Sequence, residues 1–181
     1  AEGICERGVK FEWSIQASTN LVTRLSVDEW KLLRRSGLTQ VAQGADTGSP
    51  VIMRAMNKTF QNLEMIYDAA DRLTQAGVRP SFNMIFAYPG ETRGDRRQSV
   101  DLIMKVCREY PGAEFWTNIF TPYPGAPVMD RAFELGIQGP TSLEQWADFF
   151  PRYTVLPWLN GAEHRRLQVM RDYLRLAFNR I

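Results

Sequence analysis

The sequence has 181 residues, of which 44% are hydrophobic and 23% are charged, as in an ordinary globular domain. Its 22 basic and 20 acidic residues give a net charge of +2, which is too small to indicate binding to nucleic acid or to an anionic membrane. No apolar run approaches the roughly 18 residues of a membrane span, and the first ten residues are too polar for a signal peptide. We therefore expect a cytoplasmic protein.

Four short, largely apolar segments predict β-strands, at residues 10–17, 39–44, 79–87 and 114–120. Helical patterns separate them. Ser26 with Glu29 forms the signature of a capping box, and Gly37 and Gly77 are typical stop signals for the helices that precede them. Regular alternation of strand and helix predicts an α/β fold with a parallel sheet and right-handed crossovers.

The last predicted helix, residues 162–180, carries two different faces. One is an apolar stripe, and the opposite face carries Arg165, Arg166, Arg171 and Arg175. We expect the arginine face to be a solvated surface. A nucleic-acid-binding patch is the alternative, and the near-neutral net charge argues against it.

Small and polar residues follow the end of each predicted strand, in "SIQASTN", "GADTGS", "AYPGET" and "TPYPGAP". In parallel α/β folds, ligands bind at the carboxyl ends of the strands, so we expect one shared site there. Three of these segments also have a purely structural interpretation. The first is then an ordinary loop, the second a glycine-rich turn capped by Ser49, and the last a rigid elbow. In the ligand interpretation, Gly44 and Gly48 let a ligand approach the backbone.

The cysteines and the single histidine give no catalytic or metal-binding motif. Cys107 shares a helix face with apolar residues, which predicts a buried thiol, and Cys5 is assigned no role. His164 lies beside arginines, and nothing in the sequence places it near a nucleophile, so a hydrolase is not favoured.

Taken in chain order, "GADTGSPVIMRAMNK", "AYPGET" and "TPYPGAP" resemble motifs in the carboxyl-terminal half of radical S-adenosylmethionine enzymes. The resemblance is strongest to members that carry an amino-terminal cobalamin-binding domain. The tail "SLEQWADFF…TVLPWLNGAEHRRLQVMRDYLRLAF" is similar to the helical extension of those members.

This resemblance implies a partial parallel β/α barrel. Residues 1–121 would supply its later strands, and residues 122–181 a helical extension packed on it. In the family, a Cys-x-x-x-Cys-x-x-Cys loop after the first strand holds a [4Fe-4S] cluster. That loop is absent here, so the resemblance implies the carboxyl-terminal part of a longer enzyme, inactive by itself, with the cluster ligands and any cobalamin domain outside this chain.

The resemblance also implies which residues bind S-adenosylmethionine. Asp46 stands where the family usually has Glu, and Lys58 matches a basic residue of the family; these two would bind the ribose hydroxyls and the carboxylate of the cofactor. Gln16 and Asn83 match inward polar residues on neighbouring strands, and the backbone at Ala87 would border the adenine. Tyr88 and Tyr123 would lie on the substrate side.

The expected function is therefore that of a radical S-adenosylmethionine enzyme, in which a 5′-deoxyadenosyl radical abstracts hydrogen from a small-molecule substrate. Methyl transfer is expected if cobalamin takes part. Two alternatives are a non-radical β/α-barrel lyase that uses "GADTGS" as a phosphate site and an RNA-modifying or RNA-binding module. Expected partners are the substrate, the preceding part of the same protein, and a second copy of the chain paired through the strand at residues 10–17.

Overall fold

The computed structural model describes residues 1–123, 125–148 and 156–178. Its strands are β1 (Trp13–Ala17), β2 (Leu38–Asp46), β3 (Arg79–Phe86) and β4 (Glu114–Ile119). Its helices are α1 (Glu2–Glu6), α2 (Thr19–Val22), α3 (Val27–Arg35), α4 (Pro50–Ala55), α5 (Leu63–Gln75), α6 (Arg93–Glu109), α7 (Val128–Glu134), α8 (Leu143–Asp148) and α9 (Gly161–Phe178).

The strands form one parallel sheet in the order β1-β2-β3-β4, which confirms the α/β prediction and the adjacency of successive strands. Because all four strands run in the same direction, their carboxyl ends, and the loops that follow them, lie at one edge of the sheet. The predicted shared position of the polar loops is therefore confirmed.

The helix boundaries follow local capping chemistry. Ser26 and Glu29 form a reciprocal capping box at the start of α3, with the Glu29 N–H donating to Ser26 Oγ at 3.2 Å. Thr92 and Asp95 form a second capping box at the start of α6. The predicted helix at 162–180 is α9, and residues 179–181 lie outside the described part of the chain.

Strand β1 is shorter than predicted, because it begins at Trp13 rather than at residue 10. Trp13 pairs with Leu38, which is the first residue of β2. The residues before Trp13 therefore have no part of β2 to pair with. They instead contact the turn before β2. A Cβ added at Gly37 would lie 1.9 Å from the carbonyl oxygen of Phe11. Glycine is required at this position because its φ is also +105°.

Two clusters of buried apolar side chains lie between the sheet and its helices. The larger contains the stacked rings of Phe82 and Phe115, whose centroids are 5.2 Å apart, together with Leu167 and Leu174 of α9. The smaller surrounds Trp30 under β1 and β2. The apolar stripe predicted for the last helix therefore does pack against the core.

Helix α9 also covers the outer edge of β4. The Arg175 Nε donates a hydrogen bond of 3.0 Å to the carbonyl oxygen of Thr117, and the Thr117 hydroxyl donates one of 2.9 Å to the carbonyl oxygen of Arg171. An edge strand otherwise presents unpaired backbone groups that can pair with another chain. The helix therefore engages one backbone group of this edge, the Thr117 carbonyl, whereas β1 pairs with β2 alone in this sheet.

Candidate ligand site at the carboxyl ends of the strands

The end of β2 carries an ion pair that faces a cavity. Asp46 is the last residue of β2 and adopts a left-handed backbone, with φ of 61°. Its carboxylate contacts the ammonium group of Lys58, which also donates a hydrogen bond of 2.9 Å to the carbonyl oxygen of Gly44. Only 13% of the Asp46 side chain and 21% of the Lys58 side chain are exposed. The two residues singled out in the sequence are thus held together, with one end of each open to the cavity.

Gly44 and Gly48 provide space for other parts of the protein. A Cβ at Gly44 would lie 2.9 Å from Lys58 Nζ. A Cβ at Gly48 would lie 2.5 Å from the carbonyl oxygen of Gln98 in α6. The expectation that Gly48 lets a ligand approach is therefore wrong, because the backbone of α6 already occupies that side.

Hydrogen bonds fasten the loop after Asp46 to α6. The Gly48 N–H donates to Ser99 Oγ at 2.8 Å, and the Ser49 hydroxyl donates to Asp95 Oδ1 at 2.5 Å. The hydrogen bond from Ser49 holds the pKa of Asp95 below its usual value, with further bonds from Thr92. The Ser49 Oγ also accepts from the Ile52 N–H, so the predicted cap of α4 is confirmed. This loop is consequently a rigid support for Asp46.

Ala87, directly after β3, has a φ of 63°, and both of its backbone groups are engaged. Its N–H donates to Glu91 Oε2 at 2.5 Å, and its carbonyl oxygen accepts from the indole N–H of Trp158 at 3.1 Å. The side chain of the next residue, Tyr88, reaches back to α4 and donates to the carbonyl oxygen of Ala55 at 3.2 Å.

Glu91 is a buried carboxyl group that supports this turn. Burial raises its pKa to about 7, against the opposing effects of the Ala87 N–H and of Arg96. The nearest Arg96 nitrogen lies 3.6 Å from Glu91 Oε2. Within the described part of the chain, Glu91 Oε1 has no hydrogen-bond partner.

A cavity of about 1310 Å³ opens at this edge of the sheet. The described residues that line it come from the ends of β2, β3 and β4, from the segment between α4 and α5, from the start of α7, and from α9. Among the residues predicted from the sequence, four line the cavity: Asp46, Lys58, Tyr88 and Tyr123. Three do not: Gln16, Asn83 and Ala87. Gln16 is exposed on β1, and Asn83 lies in register between Gly44 and Trp116 on β3.

The far wall of the cavity consists of residues that the sequence did not single out for this site. Asn118 lies at the end of β4, and its Oδ1 accepts a hydrogen bond of 2.8 Å from the guanidinium of Arg175. Arg171 and Asp172 line the same wall. The expectation of a solvated arginine face therefore holds for Arg165 and Arg166, which are exposed, and is wrong for the other two.

Neither cysteine is among the described residues that line the cavity. Cys5 is exposed on α1, and burial raises the pKa of the half-buried Cys107 thiol in α6 to about 11. In residues 1–123, 125–148 and 156–178, no three His, Cys, Asp or Glu side chains form a group that could bind a metal ion. The described residues therefore do not fit an iron–sulfur cluster.

The family model described as the radical SAM superfamily matches residues 2–103, which is more than half of the chain. The chain therefore belongs to the radical SAM superfamily, whose members use S-adenosylmethionine and a [4Fe-4S] cluster. Among the residues described, none of the helices combines the length and apolar character needed to cross a bilayer.

Curated relatives include tRNA-2-methylthio-N(6)-dimethylallyladenosine synthases from two strains of Bifidobacterium longum. Each is 31% identical over 84 residues, which is 45% of this chain and 16% of the relative. This chain thus spans a small part of their length.

Solved structures show the same fold. The radical S-adenosylmethionine methyltransferase TsrM from Kitasatospora setae, with cobalamin and a [4Fe-4S] cluster bound, matches with a TM-score of 0.59 and 17% identity over 78% of this chain and 29% of TsrM. The coproporphyrinogen III oxidase HemN from Escherichia coli matches with a TM-score of 0.55 and 14% identity over 78% of this chain and 32% of HemN. The partial-barrel architecture inferred from the sequence is thereby confirmed.

Proposed function

We propose that this chain forms the later strands of a radical enzyme's catalytic barrel and holds S-adenosylmethionine between the ends of β2, β3 and β4. The observation that carries the proposal is the Asp46–Lys58 pair, fixed by a rigid loop at the mouth of a large cavity in a chain of this family. S-adenosylmethionine supplies hydrogen-atom abstraction when it is bound beside the cluster of such an enzyme.

The donor set at this corner fits the polar groups of the cofactor. The Asp46 carboxylate can accept hydrogen bonds from the two ribose hydroxyls, and the Lys58 ammonium can bind the carboxylate of the methionine part. The turn at Ala87 would border the adenine, with Trp158 and Glu91 fixing its backbone. Gln16 and Asn83 stay predictions of the family resemblance, since neither lines the cavity, while Tyr88 and Tyr123 line it and would face the substrate.

The cluster is assigned to residues outside the described part of this chain, because the described residues do not fit it. We also propose cobalamin-dependent methyl transfer as the reaction class. Its support is the resemblance of the tail to cobalamin-associated members, together with the cobalamin present in the TsrM structure.

A role in RNA modification is the second candidate, since the curated relatives are tRNA-modifying enzymes by name. This candidate first depended on the arginine face of the last helix. Arg171 and Arg175 of that face line the cavity, which leaves only Arg165 and Arg166 exposed on it. A non-radical lyase is not proposed, because the chain belongs to the radical SAM superfamily and the "GADTGS" loop is packed against α6.

Calorimetric titration of the chain with S-adenosylmethionine tests the site. Asp46→Asn and Lys58→Gln should each weaken binding about tenfold or more, since each removes a charged hydrogen-bond partner worth roughly 1.5–3 kcal/mol. Asparagine is chosen at position 46 because it tolerates the left-handed backbone.

The chain offers a matched control in Asp28 and Lys31, an ion pair on the exposed surface of α3. Asp28→Asn and Lys31→Gln remove the same charges and should leave the affinity unchanged. If both site variants bind as tightly as the unsubstituted chain, S-adenosylmethionine binds elsewhere and the proposal is wrong.

A further inference from the structure

The far wall of the cavity carries two arginines, Arg171 and Arg175, and one carboxylate, Asp172. Among the described residues that line the cavity, five are charged: Lys58, Arg171 and Arg175 are cationic, and Asp46 and Asp172 are anionic. Three minus two leaves one positive charge. Asp46 pairs with Lys58, and Asp172 Oδ1 lies 2.8 Å from Arg171 Nε.

Arg175 is the cation that remains. Within the described part of the chain, Arg175 forms no ion pair; its guanidinium donates only to neutral acceptors, the Thr117 carbonyl and the Asn118 side chain. It also lies 5.9 Å from the ring centroid of Trp116, which fixes the guanidinium plane from another side. Burial lowers the pKa of Arg175 and the nearby charge of Arg171 lowers it further, whereas the carboxylate of Asp172 raises it. A half-buried guanidinium held in this way is preorganised for an oxyanion.

Arg171 and Arg175 lie on a different wall of the cavity from the residues proposed to bind the cofactor. Asp46 ends β2, whereas Arg175 binds β4, and β3 lies between them. Since neighbouring strands are about 4.8 Å apart, the two walls are separated by roughly 10 Å. The surfaces between and around them include the aromatic rings of Phe60, Tyr88, Phe120 and Tyr123.

We propose that Arg171 and Arg175 bind a carboxylate of the second substrate, whose flat or apolar body contacts the aromatic part of the cavity. This inference rests on the proposed function, because it assigns the Asp46–Lys58 wall to S-adenosylmethionine. It assigns to the substrate an anionic group that the arginines bind and an uncharged part directed towards the cofactor.

The probe for the test is benzoate, a flat carboxylate, with benzamide as its uncharged counterpart. Titration of ¹⁵N-labelled chain is followed by NMR at the Nε–H groups of Arg171 and Arg175. Benzoate should shift both signals to saturation, and benzamide should shift neither. Arg171→Gln should weaken benzoate binding at least tenfold. The side chain of Arg171 makes its described hydrogen bond only to exposed Asp172, so this variant keeps the contacts of the fold.

Arg166→Gln is the matched control, because Arg166 is exposed on the same helix, and it should leave benzoate binding unchanged. Arg175→Lys, which keeps the charge and loses the planar fork, should bind benzoate less tightly than the unsubstituted chain. Equal response to benzoate and benzamide, or unchanged affinity in Arg171→Gln, would overturn the proposal.

The same variants distinguish the substrate from the cofactor as the source of the carboxylate. Arg171→Gln should leave the affinity for S-adenosylmethionine unchanged, whereas Lys58→Gln should lower that affinity and leave benzoate binding intact. If Arg171→Gln weakens S-adenosylmethionine about tenfold, the arginines serve the cofactor and the substrate assignment is wrong. If Lys58→Gln leaves the affinity for S-adenosylmethionine unchanged while Arg171→Gln weakens benzoate binding, the proposed cofactor site is wrong and the arginine site is supported.

Discussion

The N–H of Ala87 donates a hydrogen bond of 2.5 Å to the carboxyl group of Glu91, which lies four residues later and is buried. This contact holds a non-glycine residue in the left-handed region immediately after β3. The turn therefore depends on a titratable group whose pKa is raised by burial to about 7.

We expect stability to fall as pH rises through the interval set by Glu91. The usual pKa of a glutamate is 4.5. Between that value and about 7, the folded state keeps a proton that the unfolded state has released, so the free energy of unfolding decreases with rising pH. The decrease attributable to this group is at most roughly 3 kcal/mol. Glu91→Gln cannot titrate and should have a flatter profile, measured by urea unfolding at several pH values.

Glu64→Gln is the control for that measurement, because Glu64 is an exposed glutamate in the first turn of α5. Its profile should follow that of the unsubstituted chain. An identical slope in Glu91→Gln would show that Glu91 does not titrate in this interval.

Gly48→Ala should destabilise the fold by about 1–3 kcal/mol, because the added methyl group would meet the backbone of α6 at Gln98 and Ser99. Gly112→Ala is the matched control, since a Cβ at Gly112 would have no neighbour within 4 Å. Chemical denaturation of the two variants is sufficient to compare them. Equal stability would mean that α6 moves away from the β2 loop at little cost.

Anaerobic reconstitution of this chain with iron and sulfide should give no stoichiometric cluster. Cys5 and Cys107 lie on different helices, and the raised pKa of Cys107 keeps its thiol protonated at neutral pH. Iron analysis and the visible spectrum measure the result. Four iron atoms bound per chain would contradict the assignment of the cluster ligands to other residues.

We also propose that the chain associates with a second copy through the outer edge of β1, which in this sheet pairs with β2 alone. Light scattering should detect species larger than the monomer of 20.8 kDa. Replacing both Ser14 and Gln16, which are exposed on β1, by lysine should shift the chain towards the monomer, because charges on an edge strand oppose strand pairing. A monomer in both proteins would exclude this association.

The sheet was predictable from local signals in the sequence, and two residues of one cavity wall were implied by the family resemblance. Alternating strands and helices give the parallel order. The family motif singled out Asp46 and Lys58, and the structure adds that they form an ion pair. The capping residues Ser26 and Glu29 are local signals too, and they located the start of α3.

The other wall could not be predicted in this way. Helical periodicity separates an apolar from an arginine face, but it gives no information about what the arginine face meets. Arg171 and Arg175 face the cavity because α9 packs against β4, a contact between residues 54 and 58 positions apart in sequence. The role of Gly48 was misassigned for a similar reason, since its neighbour Ser99 is 51 positions away.

The packing of α9 on β4 makes the two edges of the sheet unequal for the addition of another strand. Because Arg175 occupies the Thr117 carbonyl at the β4 edge, we expect an additional strand, from this polypeptide or from another, to join beside β1. The arginine wall of the cavity is then unchanged by such an addition, whereas the side next to Gln16 becomes an interior surface. Strands that complete a barrel on that side would therefore cover β1 and leave unchanged the wall that we propose binds the substrate.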